Sequence, residues 1–310
     1  MAAARRRQSG RAVDGILLLD KPRGISSNRA LQTARRLFDA RKAGHTGSLD
    51  PLATGMLPLC FGEATKMSGY LLEADKEYLV RGRLGQRSDS GDADGEIIEE
   101  RPVAAFGDAE LEAVLARFRG AIEQVPPMHS ALKRDGQPLY KLARRGIEVA
   151  REPRRVRIDL LECSARDAHS LSLRVRCSKG TYIRSLVQDI GEALGCGAHV
   201  SELRRSYVAP FREVPMVALE ELRELAGAGD AAALDARLLP VDAALRDWPA
   251  VNLSASLAQS IRQGQPIHLG EAPDAPYLRL YREGGEFVGL GRTLEDGRIA
   301  AKRLMAVADD

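Results

Sequence analysis

Apolar and polar positions change period along this chain, and the changes mark its elements. Gly15-Ile-Leu-Leu-Leu-Asp20 is a short unbroken apolar run between turn residues, the pattern of a buried strand. Lys21-Pro22-Arg23-Gly24 then turns the chain. Ser26 or Ser27 caps a helix whose Leu31, Ala34, Leu37 and Phe38 share one face. Leu57 to Phe61 reads as another strand and Glu63 to Leu72 as a helix. Glu77 to Leu84 alternates, with Tyr78, Val80 and Gly82 on one side and Leu79, Arg81 and Arg83 on the other, which is a strand. A helix over Asp108 to Phe118 leads to the extended break Val125-Pro126-Pro127, and a second helix follows over Pro138 to Arg145. Strands over Arg154 to Cys163 and Ser170 to Cys177, a helix from Thr181 to Leu194 and a strand from Ser201 to Val208 complete the run. Strands and helices interleave, and several long strands join as hairpins. The expected fold class is therefore α+β, a mixed and largely antiparallel sheet flanked by helices.

Residues 226–237, dominated by Ala, Gly and Asp, read as a weakly structured connection. After Trp248-Pro249 the character changes. Ser254 to Arg262 forms a short helix, followed by three short strands around Tyr277–Tyr281, Phe287–Gly291 and Arg298–Leu304, enough for a small β-rich module. The expected organisation is a disordered basic arm over 1–12, a main domain over 13–235 and the small module over 245–310. There are no internal repeats.

Composition narrows the function classes. With 310 residues, 44% hydrophobic and 29% charged, the chain is an ordinary globular one with room for more than one domain. Net charge is only +3, yet arginines cluster at 5–7, 35–36, 144–145, 151–157 and 204–205, local patches suited to a polyanion. The four cysteines are scattered, without a CxxC pair or a His at metal spacing, which argues against zinc and against a disulfide framework, and for reduced thiols in a cytoplasmic protein. No apolar run reaches membrane-span length, and the basic N-terminus lacks the apolar core of a secretory signal. Asp89, Asp92 and Asp94 suggest a calcium loop, but a register starting at Ser90 puts Ser in first place and Arg101 in twelfth, so calcium is rejected.

The stretch Gly44-His-Thr-Gly-Ser-Leu-Asp-Pro-Leu-Ala-Thr-Gly55 is too rich in Gly and Pro for a helix or central strand. Its lone acid, Asp50, stands between Leu49 and Pro51, with the proline biasing it to an extended geometry. Such a carboxylate suits a nucleophile or general base; it equally suits an Asx cap on the following turn. Local chemistry leaves both open. Elsewhere, tyrosines stand beside basic residues at element boundaries, in Lys76-Glu77-Tyr78 and in Ser178-Lys-Gly-Thr-Tyr-Ile-Arg184. That arrangement fits stacking on bases close to phosphates.

Together with Asp20-Lys-Pro22, Gly24-Ile-Ser-Ser27, Val125-Pro-Pro-Met-His-Ser-Ala-Leu-Lys133 and His199-Val-Ser-Glu-Leu-Arg-Arg205, these motifs resemble, in order and over nearly the whole chain, the TruB-type tRNA pseudouridine synthases. The resemblance implies a pseudouridine synthase catalytic domain with a C-terminal RNA-binding module of the PUA type. It implies isomerisation of uridine 55 in the T-loop of tRNA by base flipping, chemistry that exchanges no electrons or groups and so needs no cofactor. With no apolar run of membrane length and no heptad pattern, a monomer without an obligatory protein partner is the default expectation. It assigns Asp50 as the catalytic aspartate and His45 to the rearranged T-loop and extruded nucleotide. Tyr78 would stack on the flipped uracil, Tyr182 line the pocket and Leu203 pack against the base. Arg184 would pair with Asp50, Asp92 join that network, and Lys21 and Pro22 support the catalytic loop. His129 departs from the family pattern, which has Tyr there. Two other classes compete: an RNA-binding protein without catalysis, and a glycosidase-like enzyme, which would call for two carboxylates.

Overall fold

The computed structural model describes residues 10–306 except 131, 135, 144 and 272. Most of the N-terminal arm, residues 1–9, lies outside the described residues; Arg11 N donates to Asp39 O at the start of the described chain.

The elements are β1 (Gly15–Lys21), α1 (Ser27–Leu37), β2 (Ala43–His45), β3 (Thr54–Phe61), α2 (Ser68–Glu73), β4 (Lys76–Leu84), β5 (Gln86–Ser88) and β6 (Ile97–Glu100). Then come α3 (Asp108–Ala116), β7 (Gly120–Gln124), the two-residue strands β8 (Lys133–Arg134) and β9 (Gln137–Pro138), α4 (Leu139–Ala143), β10 (Arg154–Asp167) and β11 (Ser170–Cys177). The larger domain closes with α5 (Ile183–Ala193), β12 (Ala198–Val208), β13 (Val217–Ala218), α6 (Leu219–Gly227) and α7 (Ala231–Asp235). A small module follows: β14 (Ala250–Leu253), α8 (Ala255–Arg262), β15 (Tyr277–Arg282), β16 (Phe287–Thr293) and β17 (Ile299–Leu304).

The main sheet has nine strands, in the order β13-β1-β3-β12-β4-β11-β10-β7 with β2 also on β3. Pairings are antiparallel except β1 with β13 and β12 with β3. The mixed, largely antiparallel expectation holds. Alternation in β4 turns Tyr78, Val80 and Leu84 inward to join Leu173, Val175, Leu186 and Ile190 in one core, while Leu79, Arg81 and Arg83 face out. On the other side of β1, Ile16 and Leu18 pack with Met56, Met67, Leu71 and Phe211, and Leu290 and Met305 of the small module share that cluster. No helix among the described residues is long and apolar enough to cross a membrane.

Several boundaries differ from those the sequence predicts. The 63–72 segment is a 3-10 run over Gly62–Met67 before α2 begins. Pro138 belongs to a tight hairpin with Lys133, turned at Gly136 with φ 80°, so α4 starts after it. Residues 226–237 are not a loose connection: α7 is capped by Asp230, whose carboxylate accepts from Ala233 N at 2.8 Å, and it buries Leu234. The small module has a fourth strand, β14, parallel to β15, which its four residues were too few to announce by alternation.

Candidate active site

The Gly44–Gly55 stretch starts as a strand, β2, and its loop proper runs from Thr46 to Ala53 before β3. Side chains from α1 and β1 clamp its apex. Ser26 is the helix cap, accepting from Arg29 N at 3.2 Å. Ser27 is buried, and its hydroxyl donates to Leu49 O at 2.9 Å and accepts from Leu49 N at 2.7 Å. Lys21, 0% exposed, donates to the carbonyls of Pro22 and Ile25 at 2.9 and 2.8 Å and reaches Pro51 O at 3.5 Å. Burial pushes its ammonium down to about 8, against the upward pull of Asp50. Gly24 N donates to Pro51 O, also at 2.8 Å. The residues on both sides of Asp50 are thus tied to a rigid helix start and strand end.

Among the described residues, the Asx-cap alternative for Asp50 is not what the local geometry shows. The turn that follows is closed by the Asp50 backbone, whose carbonyl accepts from Ala53 N at 3.1 Å. The side chain is free of capping duty and points to Arg184, Nε to Oδ2 at 3.0 Å. The Arg184 side chain is 5% exposed while that of Asp50 is 41% exposed, so a buried cation presents a carboxylate to the outside. Arg184 is fixed in turn, donating from Nη1 to Ser90 O and from Nη2 to His129 O, both at 2.7 Å, with Asp92 Oδ2 at 3.6 Å from Nε. His129 takes part through its carbonyl, so the departure from Tyr leaves this contact intact. Asp92 is held by Ser90 Oγ at 2.7 Å and Asp94 N at 3.1 Å, both on Oδ1. Burial pushes the Asp50 carboxyl up; Arg184 pulls it back, Asp92 pushes further and Lys21 opposes, leaving it above the ordinary carboxylate range. No group of three or more metal-ligating side chains occurs among the described residues.

The remaining wall comes from the sheet centre. Across β3, β12 and β4, Gly55 lies opposite Arg205 and Arg205 opposite Tyr78, with Leu203 opposite Val80 two residues along. Tyr78 is buried, and burial pushes its phenol up while Arg205 pulls it down. Tyr182 ends the 178–182 turn in extended geometry, its N–H and C=O both taken by the Gln124 amide at 2.7 and 3.0 Å, which delays α5 to Ile183. The charge of Asp50 bears on both phenols. His45 ends β2; its Nδ1 is buried without a hydrogen-bond partner among the described residues, and burial, aided by Arg205, holds the ring below its ordinary pKa.

Asp50, Arg184, Asp92, Lys21, Tyr78 and Tyr182 therefore share one site, with Leu203 on the Tyr78 face; Pro22 is exposed and meets it through its carbonyl, which accepts from Lys21. His45 connects to it through Arg205. Sequence reasoning missed Ser27 as a loop anchor, Gln124 as the brace of Tyr182, and the individual role of Arg205. Ser27 carried a signal, a second hydroxyl after a sufficient cap; Gln124 carried none.

Residues 35–183 match the TruB family pseudouridylate synthase N-terminal domain, 184–246 the tRNA pseudouridylate synthase B C-terminal domain, and 249–305 the pseudouridine synthase II TruB C-terminal domain. A protein of Ectopseudomonas mendocina named tRNA pseudouridine synthase B is 56% identical over 95% of this chain and 96% of its own. One of the same name from Nitrosococcus oceani is 55% identical over 97% of each chain. Among solved structures, a Cbf5–Nop10–Gar1 complex matches with TM-score 0.71 at 25% identity, over 94% of this chain and 85% of that one. An H/ACA RNP bound to a substrate RNA shares the fold at TM-score 0.70 and 22% identity, over 98% and 92%. With its fold, its motif order and relatives this similar over nearly their full length, the chain belongs to the TruB family of pseudouridylate synthases.

Proposed function

We propose that this chain converts uridine 55 in the T-loop of tRNA to pseudouridine, with Asp50 as its catalytic group. The observation that carries the reading is the half-exposed Asp50 carboxylate, braced by the buried Arg184 at 3.0 Å and held by a loop anchored on either side. Its relatives are named for tRNA, and the arginine-rich surface suits that polyanion.

The reaction breaks N1–C1′, turns the uracil and joins C5 to C1′, with the C5 hydrogen leaving as a proton and N1 taking one up. Bonds are redistributed within one nucleotide, so no redox cofactor or group donor is called for. The uracil first leaves the stack at a cost of a few kcal/mol. Tyr78 stacks on the flipped base, Leu203 packs against it, Tyr182 closes the pocket and His45 supports the rearranged loop. Asp50 acts ionised, and Arg184 keeps it so against burial and the nearby Asp92 charge, both of which favour the neutral acid. Lys21 and Pro22 support the loop. In the same reading the chain works as a monomer in the cytoplasm, with the small module adding RNA contacts.

The test is tritium release from tRNA labelled with [5-³H]uridine, run with wild type and Asp50→Asn. Release by wild type and none by the variant, with tRNA bound equally well by both, is the expected result. No release from wild type would leave an RNA-binding protein, and free uracil among the products would mean hydrolysis instead.

A further inference from the structure

Arg205 is the bulkiest of the fully buried side chains, 1% exposed, and it has no carboxylate partner among the described residues. Its neighbour Arg204, by contrast, grips Asp20 with both terminal nitrogens, at 2.9 and 2.8 Å. A buried guanidinium without a counter-ion is costly unless neutral acceptors hold it. Here they are backbone carbonyls: Nε donates to Met56 O at 2.6 Å and Nη2 to Gly47 O at 3.1 Å.

Those acceptors stand at meaningful places. Gly47 opens the turn that carries Asp50, and Gly55 closes it where the chain enters β3. Gly55 has φ 97° and lies flat against the Arg205 backbone, where a Cβ would sit 2.2 Å from Arg205 O. The Arg205 side chain holds Gly47 at one end of the loop and Met56 just past the other, and its main chain packs on Gly55. Across β12 and β4 the same residue faces Tyr78.

We propose that Arg205 is the positioning residue that locks the Asp50 loop and Tyr78 into one geometry, setting turnover and leaving tRNA affinity to other groups. This rests on the roles given above to Asp50 and Tyr78. The planar fork is essential to it, since an ammonium is a point donor and cannot occupy the Nε and Nη2 positions together.

The experiment compares wild type, Arg205→Lys, Arg205→Met and Asp50→Asn by tritium release, tRNA filter binding and thermal unfolding, with the His45 ring titrated by NMR. Arg205→Lys is expected to lower kcat at least about tenfold, as a misplaced catalytic group does, with KM within about threefold and His45 titrating as in wild type. Arg205→Met is expected to lower kcat about 100-fold and to move the His45 titration to higher pH, because a positive neighbour is gone. Full kcat in Arg205→Lys overturns the proposal; so does a loss of tRNA affinity as large as the fall in kcat, or failure of both variants to fold. A silent wild type or an active Asp50→Asn would instead overturn the reading of the site itself.

Discussion

At the scale of single residues the site is a contest between burial and charge at Asp50. Arg184 lowers the Asp50 pKa that burial raises, so Arg184→Ala should move the acid limb of the pH–rate profile upward and lower kcat by about 10² or more. Binding of tRNA, measured by filter retention, should change little; an unmoved acid limb would detach Arg184 from Asp50. The same shift has a stability consequence. The native state binds the Asp50 proton more tightly than the unfolded chain does, so the ionised form costs stability at neutral pH. That cost fades as pH falls through the native pKa and is gone below the unfolded one. Asp50→Asn is therefore expected to melt no lower than wild type at neutral pH, with any gain vanishing in acid. A lower melting temperature at neutral pH would contradict the sign. His129 shows the limit of residue identity as a guide, because what the site takes from it is a backbone carbonyl.

At the scale of elements the site exists because three strands meet. β12 joins β3 in parallel at Arg204 and Arg205 and pairs with β4 beside it, which puts Gly55, Arg205 and Tyr78 in a row. Gly55→Ala must push β3 and β12 apart, and its positive φ adds strain. It is expected to destabilise by about 3 kcal/mol or more in urea unfolding and to abolish turnover. Ser27→Ala tests the anchor from α1. Both Leu49 backbone groups lose their partner, a cost of about 1–3 kcal/mol, and turnover should fall with it. Wild-type kcat in Ser27→Ala would show that the loop apex needs no clamp. These anchors explain what was legible and what was not. The loop's glycines and proline announced a shaped turn, and the period of β4 put Tyr78 on its inner face. That Ser27 closes the loop while Ser26 caps the helix depends on where Leu49 lies in space.

At the scale of the whole molecule, the small module is docked onto the larger, N-terminal domain. Lys66 Nζ donates to Leu304 O at 2.9 Å, Glu63 accepts from Ala306 N at 2.6 Å, and Leu290 and Met305 enter the cluster around Met67 and Leu71. A shared core predicts a single cooperative calorimetric transition for the full chain. Deleting residues 247–310 should lower the melting temperature of what remains, by exposing that cluster. Two separate transitions, or an unaltered melting temperature, would mean that the module folds independently.

The residue order alone determined the α+β class, a largely antiparallel sheet, a small β-rich ending and the motifs that placed Asp50, Tyr78, Tyr182 and Arg184 among the candidates, because period and turn chemistry are local properties. Tertiary structure decided the rest. It gave the Asp50 side chain to Arg184 instead of to its own turn, and it buried Arg205 without an acid behind Tyr78. It also folded the Ala-rich 226–237 segment against the core and set the last strand of the small module on the larger domain. Each of these depends on contacts between positions far apart in the chain, whose energies no local pattern records.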